Sequence, residues 1–181
     1  MGELGDIDDS TPGGPVLRTV TVSRSITASP GDLWAAISAP GNLGYAHPFC
    51  AKNPVTAWPG PDAVDEVHYL SGWIYRRQFT DWIDGVGYDL RIGSTGEQPS
   101  EVSWRITDGA SGRADLTITI RPRPLDQIPR LAQRPVQFAY VRPLLRRYLD
   151  SVARGVEWWV TTGEPVAKNQ FGRHPWFSEH R

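Results

Sequence analysis

The stretch "GYAHPFC", Gly44 to Cys50, places the chain's only cysteine three residues after His47. A thiol and an imidazole so close in sequence raise nucleophilic catalysis, which needs the base within about 3 Å of sulfur and a third group to orient it. Pro48 stands between them and breaks the helical register that would bring these positions together. Cys50 therefore reads as a small buried hydrophobe. The four histidines, His47, His68, His174 and His180, show no H-x-x-x-H spacing, and a lone cysteine makes no C-x-x-C. Three or four converging zinc ligands are not written into this pattern. No G-x-x-x-x-G-K-[ST] and no strand-led G-x-G-x-x-G is present either, so no glycine loop for phosphate is expected. The sequence points to no metal and no other cofactor.

Aromatic residues offer a different chemistry. The chain holds eight tryptophans, six tyrosines and five phenylalanines, large surfaces that must be buried or kept for a ligand. Trp73, Tyr75, Phe79, Tyr88, Trp104 and Trp159 fall on expected strands or on the expected long helix. Tyr88 and Trp104 share the alternation class of their aliphatic neighbours and so point inward. They serve either as ordinary core or as the lining of a site for an aromatic or polycyclic ligand, where a tyrosine hydroxyl could orient the ligand or donate a proton.

Polar residues on strands are expected to face water. His68, Arg77 and Arg105 lie on strands whose sheet also has a solvated face. His68 and Tyr69 point to opposite faces, so at most one of them looks inward. An inward His68 would be the best general acid or base, since its ordinary pKa is near neutrality; Tyr88 is the other catalytic candidate. Arg142, Arg146, Arg147 and Arg154, with Arg130 and Arg134 upstream, form either a surface for anionic lipid or phosphate or a solvated helix face, with Asp150 and Glu157 placed to pair with Arg146 and Arg154.

These residues must be positioned by regular elements. Residues 1–15 are rich in Gly, Asp and Pro without apolar period and read as a disordered leader. Val20 and Val22 alternate with threonines in a first strand. Ser29 then caps a short helix with Pro30 at its first position and Leu33, Trp34 and Ile37 on one face. Asn42 to Tyr45 allows a second brief helical turn. From Asn53 to Ile120, short strands broken by Gly, Pro and Asp leave no room for crossover helices, so an antiparallel meander is expected. The proline-rich stretch after Pro122 gives way to the longest helix, Leu144 to about Thr162, amphipathic and stopped at Gly163.

Length and composition bound the whole. A chain of 181 residues, 39% hydrophobic and 22% charged, suits one folded domain. With 19 Lys+Arg against 20 Asp+Glu, no global field draws it to nucleic acid or an anionic membrane. No window approaches the ~18 consecutive apolar residues of a spanning helix. No secretory signal is apparent, so a cytoplasmic location is expected. The oligomeric state is left open.

The segment "TVSRSITASPGDLWAAISAPGNLGYAHPF", Thr19 to Phe49, with the meander and the final helix, resembles the SRPBCC superfamily of START, polyketide cyclase/dehydrase-like and birch-pollen-allergen-like proteins. The likeness spans roughly Leu17 to Thr162. It implies an α+β helix-grip fold: a curved antiparallel sheet of six to seven strands wrapped around a long C-terminal helix, with two short helices after strand one. It also implies an apolar cavity between sheet and helix for a hydrophobic small molecule, lipid or polyketide-like, with Tyr45, His47, Phe49, Tyr75, Tyr88, Trp104 and Trp159 as its expected lining. Residues 16–165 form the expected domain and 166–181 an aromatic tail, in which "HPWF" repeats the His-Pro-aromatic pattern. Three readings follow: cavity binding, a cofactor-independent cyclase or dehydrase, and a protein-interaction module acting through the tail.

Overall fold

A computed structural model describes residues 19–122 and 137–179 of the chain. The expected leader, Arg130, Arg134 and most of the proline-rich stretch lie outside the described residues.

Alternation writes the sheet. In β8 (Ala114–Arg121) the residues Ala114, Leu116, Ile118 and Ile120 are buried and their neighbours are not. Asp65, Val67 and Tyr69 do the same in β4 (Val64–Tyr69). With β1 (Val20–Ile26), β2 (Cys50–Lys52), β3 (Val55–Ala57), β5 (Ile74–Ile83), β6 (Gly87–Gly93) and β7 (Ser100–Asp108), these make one eight-stranded sheet. The order is β1-β8-β7-β6-β5-β4-β2, with β3 also on β4, and every pairing is antiparallel. The first strand of the chain lies at one edge of the sheet, paired with the last strand, Val20 opposite Ile120. The short β2 is the one strand that the sequence reading did not anticipate.

The helices cover one face of this sheet. In α1 (Pro30–Ile37) the Ser29 hydroxyl accepts from the Asp32 backbone N–H at 3.1 Å, and Leu33 and Ile37 are buried. α2 (Leu43–Ala46) is a single turn. A turn of π-helix, Gln137–Val141, leads into α3 (Arg142–Thr162), which starts two residues before the expected Leu144. Gly163 takes the left-handed conformation, φ 74°, and stops the helix. Arg24 of β1 pairs with Glu157 at 2.5 Å and reaches Asp150 at 3.8 Å. The acids of α3 thus tie the helix to the sheet rather than to Arg146 and Arg154, and Arg154 lies over the Phe171 ring at 4.4 Å.

Gly155 sets how closely α2 and α3 approach. A methyl group there would sit 2.0 Å from the Ala46 carbonyl oxygen and 3.1 Å from Pro48 Cδ. Gly155→Ala is therefore expected to destabilise the fold by about 1–3 kcal/mol, despite alanine's better helix propensity. A urea midpoint equal to or above that of the wild type would contradict this.

Candidate functional site

Between the inner sheet face and α3 lies a cavity of about 270 Å³. Leu145, Leu149 and Val152 of α3, at i, i+4 and i+7, form one wall, while Val67, Leu90 and Ile118 belong to the opposite one. Among the described residues no Asp or Glu lines it. Trp73 and Trp176, both partly exposed, stand where the lining meets solvent.

The two His-Pro-aromatic segments turn out to be one device used twice. A residue before proline is held extended, and proline has no N–H, so the next free backbone donor lies two residues on. His47 is extended (φ −109°, ψ 112°), and its Nδ1 accepts the N–H of Phe49 at 3.2 Å. His174 Nδ1 accepts the N–H of Trp176 at 3.3 Å in the same way. In each neutral ring Nε2 must then carry the proton. His47 Nε2–H donates to the Tyr148 hydroxyl at 2.9 Å, and His174 Nε2–H donates to the Leu144 carbonyl at 3.0 Å. Leu144 and Tyr148 are one helical turn apart, so the two histidines brace successive turns of α3.

His174 belongs to a C-terminal segment that packs on the same domain. Val166 N–H bonds to the Tyr45 carbonyl and Asn169 N–H to the Pro48 carbonyl, both at 2.8 Å. Farther along, Ser71 N–H bonds to the Phe177 carbonyl at 3.1 Å. Phe177 is 5% exposed and stacks on Tyr69 with ring centroids 4.5 Å apart, and it lies equally close to Tyr148. Phe177 and Trp176 line the cavity. Two of the tail's aromatics are thus engaged by its own domain.

Inside, Tyr148 Oη lies 3.0 Å from Tyr69 Oη, which extends the His47 bond into a chain of three side chains. Burial, with help from the positive charge of Arg77, pushes the His47 pKa down to about 3, so its ring is neutral. Burial also pushes both phenols above the ordinary tyrosine range; for Tyr69 the neighbouring Tyr148 adds to the effect.

Arg77 lines the cavity beside this chain and is only 3% exposed. The expectation of a solvated Arg77 is therefore corrected. Directly across the β4–β5 ladder lies Asp65, 0% exposed, and the two form a bidentate pair, Nε to Oδ1 at 2.7 Å and Nη2 to Oδ2. A planar guanidinium matched to a carboxylate is the arrangement that makes such burial tolerable.

Of the expected lining, His47, Tyr75 and Trp104 reach the cavity. Phe49 is buried one layer behind it, against His47, Tyr148 and His174. Tyr88 is fully buried among Trp34, Phe79, Trp82 and Trp104 and, unlike Trp104, does not line the cavity. Tyr45 is half-exposed and stacks on Trp159 at 5.4 Å, so both lie outside as well. His68 is on the outer face, with Nε2 2.8 Å from Glu66, because its inward neighbour is Tyr69. Arg105, also expected to face water, pairs with Asp89 at 2.8 Å and stays partly exposed. Cys50 donates to the Lys52 carbonyl at 3.1 Å, and burial pushes its thiol up to about 12. Tyr69, Arg77, Ser100 and Tyr148 are the polar cavity-lining residues the expected lining omits. The buried parity of Val67 and the apolar stripe of α3 were the signals for the two tyrosines. No cluster of His, Cys, Asp or Glu suited to a metal ion occurs among the described residues.

The buried charges and the neutral imidazole make the site's stability measurable. Below about pH 6.5 the unfolded chain protonates His47 while the folded chain does not until about 3. The unfolded state then binds more protons, so this contribution is complete above pH 6.5 and falls with pH at about 1.4 kcal/mol per unit. His174, also lowered by burial, acts in the same direction. Urea midpoints between pH 7 and 4 should show this decline, and His47→Gln should flatten part of it; an equal slope in the variant would rule His47 out as a source. Separately, Arg77→Met leaves Asp65 buried and unpaired and is expected to cost about 3–5 kcal/mol. Adding Asp65→Leu should recover most of that loss, and a double variant as unstable as the single one would refute the account.

With this geometry in view, comparisons locate the chain among known proteins. Among curated proteins none matches the sequence. Solved structures that resemble it include a START superfamily protein from Mycobacterium smegmatis, with TM-score 0.63 and 12% identity over 79% of this chain and 97% of that one. Ara h 8.0201 gives TM-score 0.57 and 15% identity, covering 80% and 98%. DynU16, from the dynemicin biosynthetic locus, gives TM-score 0.54 and 19% identity over 81% of this chain, which spans about half (48%) of the DynU16 chain. At these identities the likeness is one of fold, the helix-grip fold of START-type proteins. The sequence profile described as "Polyketide cyclase / dehydrase and lipid transport" matches residues 18–157, most of the chain, and the protein belongs to that family.

Proposed function

We propose that this protein binds a hydrophobic or aromatic small molecule in the cavity between its sheet and α3. The observation that carries the reading is the cavity itself: about 270 Å³ of largely apolar space, walled by Leu149 and Val152 and ending in a few convergent polar groups. That combination is what small-molecule sites present, at a volume just below their usual range of roughly 300–1,000 Å³. The family description, which spans cyclase, dehydrase and lipid transport, supports a ligand of this kind.

A second reading, a cofactor-independent cyclase or dehydrase, is favoured by the tyrosines and histidine at the cavity. Their acid–base properties favour binding instead. Proton transfer works best with groups that titrate near the working pH, yet burial holds His47 at about 3 and keeps both phenols protonated. These groups suit hydrogen bonding to a held molecule.

A displacement panel of fluorescent fatty acids and polyphenols, with native mass spectrometry, tests the proposal. Wild-type protein should bind at least one class at 1:1. Val152→Phe, which fills space from the helix wall, should weaken that binding by about tenfold or more while leaving the circular dichroism unchanged. Mass spectra of the same incubations would reveal altered product. Binding that is indifferent to Val152→Phe would place the ligand elsewhere.

A further inference from the structure

Three polar protons meet at the cavity wall where the described residues make two hydrogen bonds. Phe49 N–H occupies His47 Nδ1, so His47 Nε2–H donates to Tyr148. The Tyr148 and Tyr69 hydroxyls, 3.0 Å apart, share a second hydrogen bond. A hydroxyl oxygen accepts up to two hydrogen bonds, so either phenol can be the donor in that bond, and in both arrangements the pair has one O–H left over. Tyr69 and Tyr148 are 3% and 9% exposed and both line the cavity. One phenolic proton of the pair is thus left without an acceptor among the described residues. A buried donor in that position costs free energy until something accepts from it.

Other groups nearby have the same polarity. Arg77 lines the cavity, whereas its carboxylate partner Asp65 does not, so the pair turns its positive end toward the space. No acidic side chain among the described residues opposes it. Ser100, the remaining polar lining residue outside the tyrosines and His47, begins β7 and is separated from Arg77 by Ile92 of β6.

We propose that the Tyr69–Tyr148 pair determines specificity, its spare O–H donating to an acceptor oxygen on the ligand. The ligand is then a hydrophobic or aromatic molecule carrying a carbonyl-class oxygen, rather than a plain hydrocarbon or a molecule ending in a donor such as an amine. His47, as a donor to Tyr148, takes up none of the phenolic protons. The inference rests on the cavity-binding reading and narrows it to one ligand chemistry.

Fluorene and 9-fluorenone form a probe pair of nearly equal shape that differs by the ketone. Wild-type protein should bind fluorenone about tenfold more tightly than fluorene, and the carbonyl stretch of bound fluorenone should move to lower frequency than in hexane. The double variant Tyr69→Phe/Tyr148→Phe removes both phenolic protons and should abolish the preference and the frequency shift while binding fluorene within about twofold of wild type. Each single variant keeps one spare hydroxyl and should retain a preference. Equal binding of the two probes by wild type, an unshifted carbonyl, or a preference that survives the double variant would each overturn the inference and leave the cavity reading standing. Failure of both probes to bind wild type would also overturn the inference, while the cavity reading is decided by the displacement panel and Val152→Phe.

Discussion

An antiparallel sheet of eight strands faces one long helix of 21 residues, and the cavity is the part of the inner sheet face that the helix leaves open. How that helix is held governs the rest of the molecule. The helix cannot spread, because its contacts are fixed on several sides: Arg24 holds its acids, Gly155 admits Ala46 at backbone distance, and His47 and His174 brace two successive turns. With the helix pinned, the uncovered remainder of the sheet stays open as a cavity. Arg77 lines that cavity and its partner Asp65 does not, and either charge would be costly to bury without the other.

Much of this frame could be read from the chain. Period-two burial in β4 and β8, the Ser29-Pro30 helix start and the Gly163 stop are local signals, and local physics decided them. The inward-facing residues of β5 show where that reading ended. Tyr75, Arg77 and Phe79 share one face by parity, but an arginine between two aromatics was assigned to water because the sheet also has a solvated face. Its partner, Asp65, is twelve residues earlier and becomes a neighbour only once the β4–β5 register is set.

The same limit explains the site. His68 drew notice for its pKa, whereas the pleat gives the cavity to Tyr69, whose role depends on Tyr148, 79 residues away. Tyr45 and Trp159 did find each other, as a stacked pair on the outside. The echo between "HPF" and "HPW" was visible as a pattern, but its meaning is a hydrogen-bond geometry. Proline removes one donor, the ring nitrogen takes the next, and the opposite nitrogen is committed to the helix.

The wall built by Trp176 and Phe177 divides the cavity between two kinds of structure. Every other lining residue lies at or before Val152, on the sheet, on α3 or beside them. The frame of the space and its enclosure on that side therefore belong to segments separate in sequence, one built of regular elements and the other of two aromatic side chains.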